Sequence, residues 1–390
     1  VPIYEVLSFP VGSYPPLLQQ LEYDSYAKQG MRTWYDPKEM QKMLKELHEP
    51  EAPFLNESIY KQAVEATRAR LKMPELHPFT PEQAAQAVLV RVKDSAAGFP
   101  WFHARGAVAY PYLSSTWRAL NPEQDMLWAE QHLKLLGMPD PVQEAINTIS
   151  EPETADPVYV LNFRTEAGKD GTHKLRVVWA SPLDHLIIEA TCGIPAQLWL
   201  SCQTTEEDDD RGALFMYMTE QLQTFAMRDL IQVAQELHVP CWSIDFSAFD
   251  QHVGARMLED GMKILLPEDT PERRAIIHGM MNKRLLSPWQ VQSFKGNVPS
   301  GSLFTNALDS VIQQVILEYI AILYGCEVYS RVNGDDGAAV WTKALTATEI
   351  EAGARQMGFE ANKDKQASSD SSFLFNKAYW GLEYAGPVAS

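Results

Sequence analysis

Three short segments carry the chemical content of this 390-residue chain. The first is Asp245-Phe246-Ser247-Ala248-Phe249-Asp250. Asp245 closes an apolar run, residues 239–245, that reads as a strand, so its carboxylate leaves a sheet end where a hard cation can collect oxygen ligands. The second is Val332-Asn333-Gly334-Asp335-Asp336-Gly337-Ala338. Gly334 and Gly337 permit positive φ between two β-rich runs, so both carboxylates are expected at a hairpin tip. The third is Pro299-Ser300-Gly301-Ser302-Leu303-Phe304-Thr305-Asn306-Ala307-Leu308-Asp309-Ser310, a glycine-bearing loop running into a helix. That helix presents Thr305, Asn306, Asp309 and Ser310, and Thr305 and Asp309, four apart, share a face. Each segment has a plainer reading: Asp250 as a helix cap, Asp-Gly as an ordinary hairpin turn, the polar stripe as a solvated helix start. All three in this order arise from composition alone in roughly one chain in a thousand.

The elements that must position these residues follow from periodicity. Residues 239–245 form a strand, 302–324 a buried helix, and 326–332 and 338–342 two strands around the paired aspartates. Thr346 and Glu349 have capping-box spacing and start a helix that Gly358 ends. Strand, helix, hairpin, helix, strand predicts an α+β fold with a ferredoxin-like antiparallel sheet and helices on one face. Upstream, residues 1–160 read as helical with Pro-marked breaks, including helices at Asp36–His48 and Asn56–Leu71, and 158–235 as mixed. Lys174 and Arg176, two apart on a strand, face one side together.

Composition sets limits. With 45% hydrophobic residues the chain can bury one large core or two to three smaller ones. A net charge of -18 argues against a basic nucleic-acid-binding surface, so any such site must be a local cationic channel. The run Glu206-Glu207-Asp208-Asp209-Asp210 predicts a solvated loop. Cys192, Cys202, Cys241 and Cys326 have no metal or redox spacing, which predicts free thiols in a reducing compartment. No window predicts a membrane span and the N-terminus is not a signal peptide. The chain begins at Val1 without an initiator Met, which predicts a fragment or a trimmed chain.

Asp245 to Asp250, Ser300-Gly301 to Thr305 to Asp309, and Gly334-Asp335-Asp336 resemble motifs A, B and C of viral RNA-dependent RNA polymerases, in the family's order and at its intervals. The version here is similar to picobirnavirus and partitivirus enzymes, from viruses with double-stranded RNA genomes. Arg164 with Lys174-Leu175-Arg176 resembles motif F, and Ser95-Ala96-Ala97-Gly98-Phe99-Pro100 motif G. Met357 to Lys365 resembles motif D, and Phe373-Leu374-Phe375-Asn376-Lys377 motif E, so the resemblance covers about residues 90–385. It departs at Asp309, where many positive-strand enzymes carry Asn.

The resemblance implies template-directed RNA synthesis, with the primer 3′-hydroxyl attacking the α-phosphate of an NTP and pyrophosphate leaving. It implies two Mg²⁺ ions, with Mn²⁺ as a substitute, held by Asp245, Asp335 and Asp336. Asp250, Ser300, Gly301, Thr305, Asn306 and Asp309 are implied at the ribose, where a 2′-hydroxyl is read by polar neighbours. Arg164, Lys174 and Arg176 are implied at the triphosphate, Lys365 or Lys363 as general acid, and Ser95, Gly98 and Lys377 along template and primer. The implied fold is a right-hand polymerase: mostly helical fingers and N-terminal region over 1–235, a palm over 236–385, and a missing or minimal thumb, since few residues follow motif E. Implied partners are template and nascent RNA, NTPs and the viral capsid, in the host cytoplasm or the virion interior. Trp101, Trp179 and Trp242 are read as core aromatics, and His173 and His252 have no role.

Two other readings share parts of the pattern. A reverse transcriptase usually has an aromatic two residues before the paired aspartates, where this chain has Asn333. A non-catalytic viral structural protein would not need Asp245 and Asp335 to converge. Separation beyond about 8 Å would favour it, since two metals cannot bridge that gap.

Overall fold

The computed structural model describes residues 41–44, 47, 56–92, 97–100, 139–167, 173–202, 214, 217–287, 290–361, 366–369, 372–375, 378–381 and 388–389. Among them the helices are α1 (Glu57–Leu71), α2 (Pro81–Val92), α3 (Pro141–Ser150), α4 (Leu183–Ser201), α5 (Glu220–Leu237), α6 (Phe249–His252), α7 (Ala255–Leu265), α8 (Pro271–Met281), α9 (Thr305–Tyr324) and α10 (Ala347–Gln356). The strands are β1 (Val158–Ala167), β2 (His173–Ala180), β3 (Cys241–Asp245), β4 (Lys283–Leu286), β5 (Val291–Phe294), β6 (Val328–Asn333), β7 (Asp336–Trp341), β8 (Ala367–Ser369), β9 (Ser372–Phe375), β10 (Ala378–Gly381) and β11 (Val388–Ala389). Of the helix expected at Asp36–His48, residues 41–44 and 47 are described; 41–44 are helical and Leu47 is not.

The aspartate-bearing strands share an antiparallel sheet of order β6-β7-β3-β8. The first strand in sequence, β3, lies between the third and the fourth, which is the ferredoxin-like arrangement predicted from element order. The segment 249–304, containing α6 to α8, β4 and β5, is inserted between β3 and α9.

Helices cover both faces of this sheet, not the one face expected. Trp242, Ile244, Ala339 and Trp341 belong to the core that contains α9 and α10. Cys241, Ala338 and Val340 instead meet Met227, Leu230, Ile231 and Ala234 of α5, together with Phe375 and Trp380 of the β9–β10 hairpin. The signal was in the sequence: Ala338-Ala339-Val340-Trp341 is an unbroken apolar run, the signature of a strand buried on both sides.

The central helix is α9, buried continuously from Ala307 to Ala321. It is the one described helix long and apolar enough to cross a membrane, but its most apolar window is 83% buried within the protein, as a core helix is. Helix α10 starts with the predicted capping box, Thr346 with Glu349. It ends on Gly358 at φ 87, with Gly358 N–H donating to Arg355 O and Phe359 N–H to Ala354 O, a Schellman motif. Asn56 caps α1, so the expected 56–71 helix is present.

A second sheet, of order β2-β1-β4-β5, meets the Ser300-Gly301 loop of the site through β2. The β1–β2 hairpin pairs from Val160 with Ala180 to Ala167 with His173. Tyr159, Leu161, Phe163, Trp179, Leu285 and Phe294 make its core. All four cysteines are free thiols, as their spacing predicts.

Candidate active site

The register of the first sheet brings the acidic residues together. Asp245, last in β3, is the direct partner of Asp336, first in β7. Opposed residues in an antiparallel pair stand about 4.5–5.5 Å apart at Cα, so these two side chains leave the same face of the sheet side by side. Asp336 also pairs with Asn333, so the turn is only two residues, Gly334-Asp335, tighter than the five-residue tip expected. Gly334 takes the predicted positive φ, at 63. Gly337 does not; it lies within β7, and a Cβ there would stand 2.5 Å from Gln313 Nε2, so close packing explains the glycine. Asp335 is exposed, Asp336 half-buried and Asp245 largely buried.

Among the described residues no three acidic, imidazole or thiol groups close into a metal cage. Adjacent carboxylates on two strands, open on one side, still suit Mg²⁺, which takes one or two carboxylates and completes its shell with water and substrate phosphate.

The chain after Asp245 folds back onto α9. Phe246 pairs with Ala361, and Ser247 N–H donates to Glu360 O at 3.0 Å. Phe246 meets Phe359 edge to face and Phe249 meets it tilted, with centroids 5.7 and 4.9 Å apart. This bend, with Ala248 at φ 47, places Asp250 inside α6 against Asp309 of α9; Asp250 is therefore not a helix cap. Burial raises the Asp250 carboxyl to about 6, and the charge of Asp335 adds to this, while a hydrogen bond from Asp309 and the charge of Arg176 oppose it. Asp309 is pushed well above the ordinary carboxylate range by burial, then by Asp250 and Asp335. Asp309 is thus the proton-bearing donor and Asp250 the acceptor.

Loop 299–304 is docked on two elements. Ser300 Oγ accepts from Trp179 N–H at 3.0 Å, and Gly301 lies so close to β2 that a Cβ would stand 2.0 Å from Trp179 O. The α4 residues Glu189, Gly193 and Gln197, spaced by four, form the other cradle. Glu189 accepts from Ser302 Oγ–H and Leu303 N–H, both at 2.8 Å; Gln197 Nε2 donates to Leu303 O at 3.1 Å. A Cβ at Gly193 would stand 3.1 Å from the Phe304 ring. Thr305 Oγ–H donates to Pro299 O (2.7 Å) and Ser302 O (2.9 Å), so its hydroxyl holds the loop, and Asn306 Nδ2 donates to Asn333 Oδ1 at 3.2 Å. Helix α9 starts at Thr305, not 302, because this docked loop occupies the preceding residues.

Arg176 is exposed on β2, with Lys174 two residues before it and Arg164 directly opposite in register. The charge of Arg176 acts on Asp250, which puts this end of β2 near the acidic residues. Gly98, at φ 73, packs on backbone: a Cβ would stand 2.8 Å from Ser181 O, and Leu183 N–H donates to Ala97 O at 2.9 Å. Trp179 and Trp242 are core residues as expected. His252 Nδ1 lies 2.9 Å from Ala248 O, a local contact. Ser95, Lys363, Lys365, Lys377, Trp101 and the acidic run 206–210 lie outside the described residues. Glu189 and Gln313 escaped the sequence reading; the available signal was a charged or amide residue inside an otherwise apolar helix.

Comparison with known proteins accords with this geometry. The family described as viral RNA-dependent RNA polymerase matches residues 164–379, more than half of the chain and the segment from Arg164 through the β10 strand. No curated protein matches. Among solved structures, the polymerase of a human picobirnavirus superposes with a TM-score of 0.65 at 16% identity, covering 96% of this chain and 68% of that one. Its insertion-loop deletion mutant gives 0.66 at 17%, covering 96% and 70%. The sicinivirus 3Dpol RNA-dependent RNA polymerase gives 0.60 at 16%, covering 87% and 72%. With the carboxylates paired across one sheet, the hydroxyl-bearing loop beside them and the family match spanning both, the chain belongs to the viral RNA-dependent RNA polymerases.

Proposed function

We propose that Asp245, Asp335 and Asp336 form the nucleotidyl-transfer centre of this polymerase, joining NTPs to a nascent RNA strand on an RNA template. The observation that carries this reading is the Asp245–Asp336 register pair, with Asp335 at the adjoining turn. Asp245 and Asp335 are the principal divalent-cation ligands and Asp336 a supporting one. Mg²⁺, or Mn²⁺ in its place, would lower the pKa of the primer 3′-hydroxyl and neutralise charge on the leaving oxygen. The β3-centred sheet serves as palm over 236–385 and the region 1–235 as fingers.

Asp250 accepts from the ribose 2′-hydroxyl, held for that role by the Asp309 proton. Ser300, Gly301, Thr305 and Asn306 shape the same wall through loop 299–304. Arg164, Lys174 and Arg176 supply local positive charge for the triphosphate, which a chain of net charge -18 needs at this point. Lys365, or Lys363, protonates departing pyrophosphate, and Ser95, Gly98 and Lys377 border the RNA path. Primer extension on an RNA template tests the core of this reading. Asp335→Ala should abolish synthesis with an unchanged thermal melt; wild-type rates in that variant would refute it.

A further inference from the structure

The turn that carries Asp335 is held from behind by one face of α9. Asn306, Ser310 and Gln313 are spaced by four and three residues, so their side chains line up along the helix. They engage three consecutive hairpin residues. Asn306 Nδ2 donates to Asn333 Oδ1 at 3.2 Å. Ser310 Oγ accepts from Gly334 N–H at 2.7 Å and donates to Asn306 O at 2.7 Å, which satisfies the hydroxyl in both roles. Gln313 Nε2 donates to Asp335 O at 3.1 Å. Gln313 is fully buried, and the space a Cβ at Gly337 would need is filled by its amide. The amide is therefore wedged between the carbonyl of Asp335 and the backbone of Gly337.

We infer that Ser310 and Gln313 are positioning residues that fix the direction of the Asp335 carboxylate. A side chain on a two-residue turn swings with its peptide plane, and misplacement by 1 Å can cost about 100-fold in rate. Gln313 fixes one peptide of Asp335 through its carbonyl. Ser310 fixes the Asn333–Gly334 peptide through Gly334 N–H, so the Gly334–Asp335 peptide is held from both sides. The same rigid helix carries Asp309 to Asp250, so the ribose wall and the metal ligand are set by one element.

The inference rests on the reading of Asp335 as a metal ligand, and the experiment separates the two. In the full chain, Mn²⁺ binding without nucleotide is followed by water proton relaxation, alongside thermal melts and steady-state kinetics. Gln313→Met removes the donor at similar size; Ser310→Ala removes the hydroxyl. Each should stay folded, bind Mn²⁺ about tenfold more weakly and lose about 10- to 100-fold in kcat. The KM for NTP should stay within about twofold, a split that general destabilisation does not produce. A folded variant of either residue with wild-type Mn²⁺ affinity and kcat would overturn the inference. Asp335→Ala with undiminished Mn²⁺ binding would instead remove the metal reading beneath it.

Discussion

Burial raises the carboxyls of both Asp250 and Asp309, Asp309 the further, which favours Asp309 as donor to Asp250. Burial makes two adjacent carboxylates too costly, so one stays neutral and donates to the other. A neutral carboxylic acid then presents a donor, as an Asn amide in its place would. This proton has a stability consequence. A group whose folded pKa is raised holds a proton that the unfolded chain has already released, so its stabilising contribution is present at low pH and declines as pH rises through the folded pKa. Asp309→Asn removes that titration while keeping a donor. In thermal melts with EDTA, the variant should match wild type near pH 4 and gain on it steadily toward pH 8. A difference in Tm that does not grow with pH would contradict the assigned proton. The acids themselves were legible in the sequence because spacing marked them. Their mutual titration was not, since it depends on burial and on a contact across 59 residues of chain.

At the scale of elements, loop 299–304 has a shape imposed from outside. Its hydroxyls and glycine were visible in the sequence, but what they face was not. The partners lie on β2 and α4, more than 100 residues upstream. The same contrast holds for α10, whose capping box and Gly358 are local signals, while the apolar run Ala338–Trp341 marks a strand buried on both faces without saying that α5 covers the second. Glu189 is the fixed point of the loop: it is fully buried, lies 3.5 Å from His185 Nε2, and takes both Ser302 Oγ–H and Leu303 N–H. Glu189→Ala leaves two donors without their acceptor, at a cost of about 1–3 kcal/mol for each that is denied water. We expect a lowered Tm and a raised KM for NTP. Thr346→Ala, which breaks a distant cap worth about 1 kcal/mol, is the control and should lower Tm without moving KM. Equal KM in the two variants would argue that the α4 cradle contributes to folding alone.

Across the whole molecule, a polar thread runs through an apolar centre. Arg70 of α1 donates to Val328 O at 2.7 Å and pairs with Glu318 of α9 at 2.8 Å. Glu318 accepts from Gln314 Nε2 at 3.1 Å, and Gln314 Oε1 accepts from Ser330 Oγ–H at 2.6 Å on β6. Helix α1 is tied to α7 as well, through Tyr60 Oη–H to Asp260 at 2.8 Å and Arg256 to Glu57 at 2.6 Å. The far upstream helix thus buttresses both α9 and the start of β6. Nothing in the local sequence of 57–71 announces this: its helix was legible from its periodicity and Asn56 cap, its partner only from the folded chain. Removing one member of a buried ion pair leaves the other charge uncompensated, which costs about 3–5 kcal/mol when burial is complete. Arg70 and Glu318 retain 15% and 9% exposure, so Arg70→Met should cost somewhat less, about 2–3 kcal/mol. Arg70→Met/Glu318→Gln, which removes both charges, should recover most of the loss. Urea unfolding followed by fluorescence would read both variants. If the single and double variants are equally destabilised, the cost comes from the lost Arg70 bond to Val328 O and not from an uncompensated Glu318 charge.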